Sequence, residues 1–396
     1  MKTKRLRVAG WSFALLVFVL LVVSAQAGAA KPQPGKVKQT AGPVQVLAMD
    51  GPRVAYMRGD LRVGVWNVVT GATSVIKGNY PSKGHDFGHG SGEVAIAGTR
   101  VALITRFEIG NTMQTQERLY TAPLGGTARQ LGKLTNHSSD SGDCSVPNSG
   151  YAEGTWLGGL VGSGKDLAVS SWNANNQLGR LSLILPTRLR TIATGPGAVV
   201  SQSADRGRIA VLRSTDAWPA YQGPPEQLSP ILGIYSTGGG LLREIALNAP
   251  PPNQACGSPT TVILGIALSG NQLVVLRLDV PQPGSATKTF EVYDWTTGAL
   301  VHTWVPQPKA CNLAASGSLA VYTAGCGYIG GTQRLHLLDL ATGKDVVIAR
   351  APGNGGYITA MDSRGLVYSA NPYTPKKTHG KLVFVPTAEL LAALSK

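Results

Sequence analysis

Two histidines flank a carboxylate at His85-Asp86-Phe87-Gly88-His89, and His137-Ser138-Ser139-Asp140-Ser141-Gly142-Asp143 sets a third imidazole near two more acids. Imidazole and carboxylate are the groups that ligate a divalent metal or move a proton near neutral pH. The glycines and serines around them mark loops rather than a helix, so the spacing of His85 and His89 does not put them on one face. Catalysis by a secreted hydrolase or lyase, with His85, His89, His137, Asp140 and Asp143 gathered on neighbouring loops, is therefore the alternative reading. A divalent metal on His85, His89 and His137 enters only with it. No cofactor or nucleophile motif occurs, and Gly162-Ser163-Gly164-Lys165 lacks the helix a phosphate loop requires. The leading reading is non-enzymatic binding. Trp172, Trp218, Tyr221, Tyr328 and Tyr373, with Lys376, Lys377 and His379, supply flat rings beside polar donors, which suit sugar rings or peptide side chains.

The elements that carry these residues are short and repeated. Seven glycine-containing turns each lead into an apolar strand whose first apolar residue is Val54, Val101, Leu167, Ile209, Leu273, Leu319 or Leu366. Successive copies lie 42 to 66 residues apart, the size of a repeat unit built from several strands. A second signal follows a strand later, at Asn67-Val68-Val69-Thr70-Gly71, Asp294-Trp295-Thr296-Thr297-Gly298 and Asp339-Leu340-Ala341-Thr342-Gly343. Its first side chain can accept N–H bonds from further round the turn, and its glycine takes the positive φ that closes it. Together the two signals describe four strands per unit: strand, glycine hairpin, strand, variable loop, strand, Asx-type turn, strand. Blade six shows all four, at 312–315, 319–323, 334–339 and 345–349.

Seven such units resemble the seven-bladed β-propeller superfamily, WD-repeat-like and secreted, although the Trp-Asp and Gly-His pairs of true WD repeats are missing. The resemblance implies an all-β ring of four-stranded antiparallel blades over 44–386 and assigns no activity. The last unit lacks a clear fourth strand, so the lead-in 28–43 is expected to supply one at Lys36–Thr40 and close the ring. The tail 387–396 reads as a short helix. The long loops, and the four cysteines with them, gather on the face opposite the glycine hairpins, where binding is expected. The hairpin through Gly317 brings Cys311 and Cys326 together, and a disulfide between them is expected. Elimination leaves Cys144 with Cys256, though four cysteines allow three pairings.

Residues 1–27 read as a signal peptide: Lys2, Lys4, Arg5 and Arg7, the apolar run Trp11 to Val23, then Ser24-Ala25-Gln26-Ala27. The run is short of the ~20 residues a membrane span needs, so no span is expected in the mature chain. Export to the cell envelope or beyond follows, and there the cysteines can oxidise. The net charge of +15 suits a protein partner or an acidic cell-surface polymer. Basic helices and stacking aromatics of a nucleic-acid module are absent, which argues against nucleic acid. The reading is thus an exported binding or scaffold protein for protein or cell-envelope glycan.

Overall fold

The computed structural model describes residues 35–78, 91–109, 114–139, 151–176, 178–214, 231–247, 260–282, 285–326, 332–352, 357–370 and 379–396. They form seven separate antiparallel sheets, each the blade of a propeller. The innermost strands are Val44–Asp50, Ser91–Ala97, Thr155–Ser163, Ala198–Asp205, Thr260–Ser269, Cys311–Ser316 and Tyr357–Asp362. Each touches the next, and the last touches the first, which closes the ring around a central channel.

Closure of blade seven comes from the start of the described chain. Lys36–Thr40 pairs antiparallel with the third strand, Gly380–Pro386, with Val37 opposite Val383. The blade thereby gains its fourth strand, and what would be an open sheet edge is covered. Blade two departs from the four-strand pattern, because Tyr151–Glu153 turns back on Arg129–Ser139 and adds a fifth, outermost strand.

The local chemistry of the turns explains why the repeat folds this way. Gly51, Gly98, Gly164, Gly270 and Gly317 occupy the first of two loop positions with φ between 55° and 65°, a conformation that costs glycine little and matches the twist of a two-residue hairpin. In the Asx-type turns Asn67 accepts from the N–H groups of Val69 and Thr70 at 2.9 and 3.1 Å, and Asp339 accepts from Ala341 at 3.0 Å. The exposed Asp294 carboxyl is held below its ordinary value by hydrogen bonds from the side chain and backbone of Thr296. Each of these turns docks on the hairpin of its own blade: Val68 N–H on the Pro52 carbonyl, Trp295 on Asn271, Leu340 on Ser318. Hairpins and Asx turns therefore share one end of the ring.

Alternation along each strand puts apolar side chains on both blade faces, so every junction between neighbouring blades has its own core. Leu103 and Phe107 pack with Met57 and Val63 between blades two and one, and Phe290 packs with Tyr322 between five and six. Each fully buried side chain of this size contributes about 1.5–3 kcal/mol. Blades pack so closely that Gly162 lies against the Ile96 carbonyl where no Cβ would fit. The terminal helix, Thr387–Leu394, forms as expected and buries Leu390 and Leu394 against Leu319, Leu335 and Leu366 of blades six and seven. It sits at the hairpin end, its first N–H bonded to the Arg364 carbonyl.

Candidate functional site

The innermost strands run toward the hairpins, so their last residues ring one mouth of the channel. A cavity of about 870 Å3 occupies this half of the channel, with walls drawn from all seven blades and one side supplied by Thr387 and Leu391 of the helix. Its wall is apolar, with Leu47, Leu160, Ile266 and Leu313, and its rim is polar. Gln202 lies in the wall with both atoms of its amide buried and unpartnered.

The rim is built from the residue that ends each innermost strand. Asp50 accepts from Gly98 N–H at 2.6 Å and from Gly164 N–H at 2.9 Å, tying blade one to blades two and three. Ser163 Oγ accepts from Arg206 N–H at 3.0 Å, Asp205 from Gly270 N–H at 2.7 Å, and Ser269 Oγ from Gly317 N–H at 2.7 Å. Asp362 accepts from the N–H of Gly51 and, at 2.8 Å, from that of Arg364. Blade two ends in Ala97, which has no acceptor, and the second oxygen of Asp50 takes the N–H that a longer side chain there could have held. The remaining junctions use strand residues: Glu93 accepts from Leu160 N–H at 2.8 Å, and Asn312 donates to the Tyr357 carbonyl at 3.0 Å. Burial pushes the Asp362 carboxyl up, and the charge of Asp50 adds to the shift against the pull of the two N–H donors. Asp50, Asp205 and Asp362 stand at this mouth with the exposed Arg206, and Asp205 also lies 3.6 Å from Arg208.

The sequence-predicted site residues are placed as follows. Trp172 is 7% exposed and packs with Ala174 and Trp156, so its ring is core rather than rim. His379 is exposed at the start of the third strand of blade seven. His137 is half-buried in Arg129–Ser139, between Gln114 and Glu153 in register. His85, His89, Asp140, Asp143, Trp218, Tyr221, Tyr328, Tyr373, Lys376 and Lys377 lie outside the described residues, as do Cys144 and Cys256. Cys311 and Cys326 stand with Cα atoms 6.3 Å apart, within the reach of a disulfide. Among the described residues no three His, Cys, Asp or Glu side chains gather as a metal site, and no helix is long and apolar enough to cross a membrane.

Trp295 begins the turn that follows the third strand of blade five. Its Nε1–H donates to the Gly270 carbonyl at 2.9 Å and its ring lies under the Arg208 guanidinium at 5.0 Å. The acceptor column at the rim is not announced by the glycines but by the residue just before each hairpin. The residue ending the strand before each hairpin reads Asp, Ala, Ser, Asp, Ser, Ser, Asp from blade one to blade seven, a signal already present in the sequence.

The fold and this ring define a seven-bladed β-propeller. No family model and no curated protein matches the sequence. Solved structures similar to the chain include the Cps50 (Swd1) β-propeller domain of Myceliophteria thermophila, at 10% identity over 88% of this chain and 100% of that one, TM-score 0.48. The propeller domain of the Trilobed protease from Pyrococcus furiosus, described as of open velcro topology, gives 11%, 88%, 94% and 0.46. BamB from Moraxella catarrhalis gives 11%, 87%, 85% and 0.42. At these identities only the architecture is shared.

Proposed function

We propose that this chain is an exported, non-enzymatic binding protein that seats a protruding segment of a protein partner in the channel mouth at its hairpin end. The carrying observation is the cavity of about 870 Å3 built jointly by seven blades and the helix. Its volume falls in the range of sites that take a few side chains, and its apolar wall beneath a polar rim suits a peptide loop. The rim carboxylates favour Lys, Arg or backbone N–H groups from the partner. On this reading the working face is the hairpin end, whereas the sequence expectation put binding on the long-loop face. A ring closed at every junction meets a partner without reordering, which limits the entropic cost of binding. Export rests on the charged start and apolar run of residues 1–27.

The test places a photo-crosslinking phenylalanine analogue at Ser316 on the rim or at Thr73 on the outermost strand of blade one, in the producing cell. Discrete protein adducts from Ser316 and none from Thr73 are expected. Equal labelling from both positions, or adducts only from Thr73, would count against the channel mouth. A secreted or envelope-bound chain whose first residue is Gly28 is expected by mass spectrometry, and an intact chain retained in the cytosol would end the export part of the reading.

A further inference from the structure

A second cavity, of about 460 Å3, lies between blades five and six at the opposite end of the ring from the hairpins, where the linker through Gln307, Pro308 and Lys309 enters blade six. Its wall includes Lys309, Thr332, Arg334 and His336, and among the described residues it contains no carboxylate. Behind it, His336 Nδ1 is 2.8 Å from Asp345 Oδ1, while Asp345 Oδ2 accepts from the Tyr322 hydroxyl at 2.5 Å. Burial holds the Tyr322 hydroxyl protonated, and its oxygen accepts from Gln307 N–H at 3.1 Å. Every partner in this chain of bonds is committed. Asp345 Oδ2 accepts from Tyr322, so in a neutral imidazole the proton sits on Nδ1 toward Oδ1 and Nε2 is the open acceptor. The imidazole is 4% exposed, stacks on Tyr322 at 5.0 Å, and its Nε2 has no partner.

Charge around this nitrogen is positive. Arg334 pairs directly across the sheet with Arg350 in register, two like charges side by side with no described acidic partner for either. Like charges directly opposite destabilise a sheet unless an anion lies between them. Lys288, nearby, donates its ammonium to the Ala310 carbonyl next to Lys309.

We propose that this cavity binds a phosphate group carried as inorganic phosphate or as a small phosphomonoester. The unprotonated oxygens face Arg334 of the cavity wall, with Arg350 beside it in register, and a P–O–H donates to Nε2 of His336. A phosphate fills only part of the volume, and the rest leaves room for an organic substituent. The hydrogen bond to Nε2 requires a proton on the ligand, which inorganic phosphate keeps near neutral pH and a phosphomonoester keeps only as its monoanion, whereas sulfate, the same shape, lacks it. This site is separate from the channel mouth and stands or falls independently of it.

Titration calorimetry on the full mature chain with inorganic phosphate and with sulfate tests the assignment, supported by the imidazole resonance of His336. Phosphate is expected to bind and shift that resonance, with sulfate weaker by about tenfold or more, the worth of one charge-assisted hydrogen bond. Arg334→Gln, an exposed position that leaves the core untouched, is expected to weaken phosphate by about tenfold. His336→Gln is expected to abolish the preference for phosphate over sulfate. No binding of phosphate, an unmoved His336 resonance, or sulfate binding as tight as phosphate would each overturn the proposal.

Discussion

At the channel mouth the acceptors of Asp50, Ser163, Asp205, Ser269 and Asp362 are spent on N–H groups of a neighbouring blade, whereas in the cavity between blades five and six the buried Nε2 of His336 is spent on nothing. Both regions bury polar groups, and burial without a partner costs about 1–3 kcal/mol per group. The rim acceptors recover that cost inside the fold, while Nε2 of His336, like the Gln202 amide in the channel wall, has no partner among the described residues. The two ends of the ring therefore differ in kind: one is a hydrogen-bonded collar around a wide opening, the other a cationic crevice at the edge of a single junction.

The strongest way to break the collar is to open the ring. Deleting residues 35–43 removes the strand paired with Gly380–Pro386 and is expected to cost about 3 kcal/mol or more, read as a large fall in midpoint by thermal or denaturant unfolding. An unchanged midpoint would mean that blade seven does not need its fourth strand. Asp50→Ala strands the N–H groups of Gly98 and Gly164 together and is expected to cost about 2–3 kcal/mol by urea unfolding. In that background, Ala97→Ser restores an acceptor in blade two and is expected to recover about 0.5–1 kcal/mol, while in the native background it changes little. Equal effects in both backgrounds would deny that Asp50 substitutes for the missing acceptor.

At the other end, Tyr322→Phe removes the donor to Asp345 and the acceptor for Gln307 N–H, and is expected to cost about 1–2 kcal/mol while Asp345 still holds His336. The smallest expected effect is a slope. Because burial raises the Asp362 carboxyl in the folded state, its favourable contribution is present at low pH and is lost as pH rises through that raised value. Asp362→Asn should stay within about 1 kcal/mol of the native chain at pH 7, and the native chain should gain on the variant as pH falls into the carboxylate range. The opposite slope, measured by denaturant unfolding across pH 4 to 7, would place Asp362 in an ion pair instead.

Much of the ring was legible from residues that act locally. Glycines that must take positive φ, the Asx acceptors of Asn67, Asp294 and Asp339, and apolar alternation specify hairpins and strands without help from the rest of the chain. Residues whose role depends on a neighbour in another blade were harder to read. Trp172 looked like a ligand ring because a tryptophan beside asparagines reads the same whether it faces solvent or Trp156. His336 looked like one more strand residue, since only its register against Tyr322 and the approach of Asp345 leave one nitrogen committed and the other open.

By itself the sequence determined the repeat, the turn types, the direction of each strand and the segment able to close blade seven, because these follow from backbone preference and period over a few residues. Only the tertiary structure decided which blade's acceptor meets which blade's N–H, that Asp50 reaches across two neighbours, and that a cavity opens at the end with the short loops. Those outcomes depend on the angle and separation at which blades pack around the axis, quantities summed over every junction of the ring and written in no single stretch of chain.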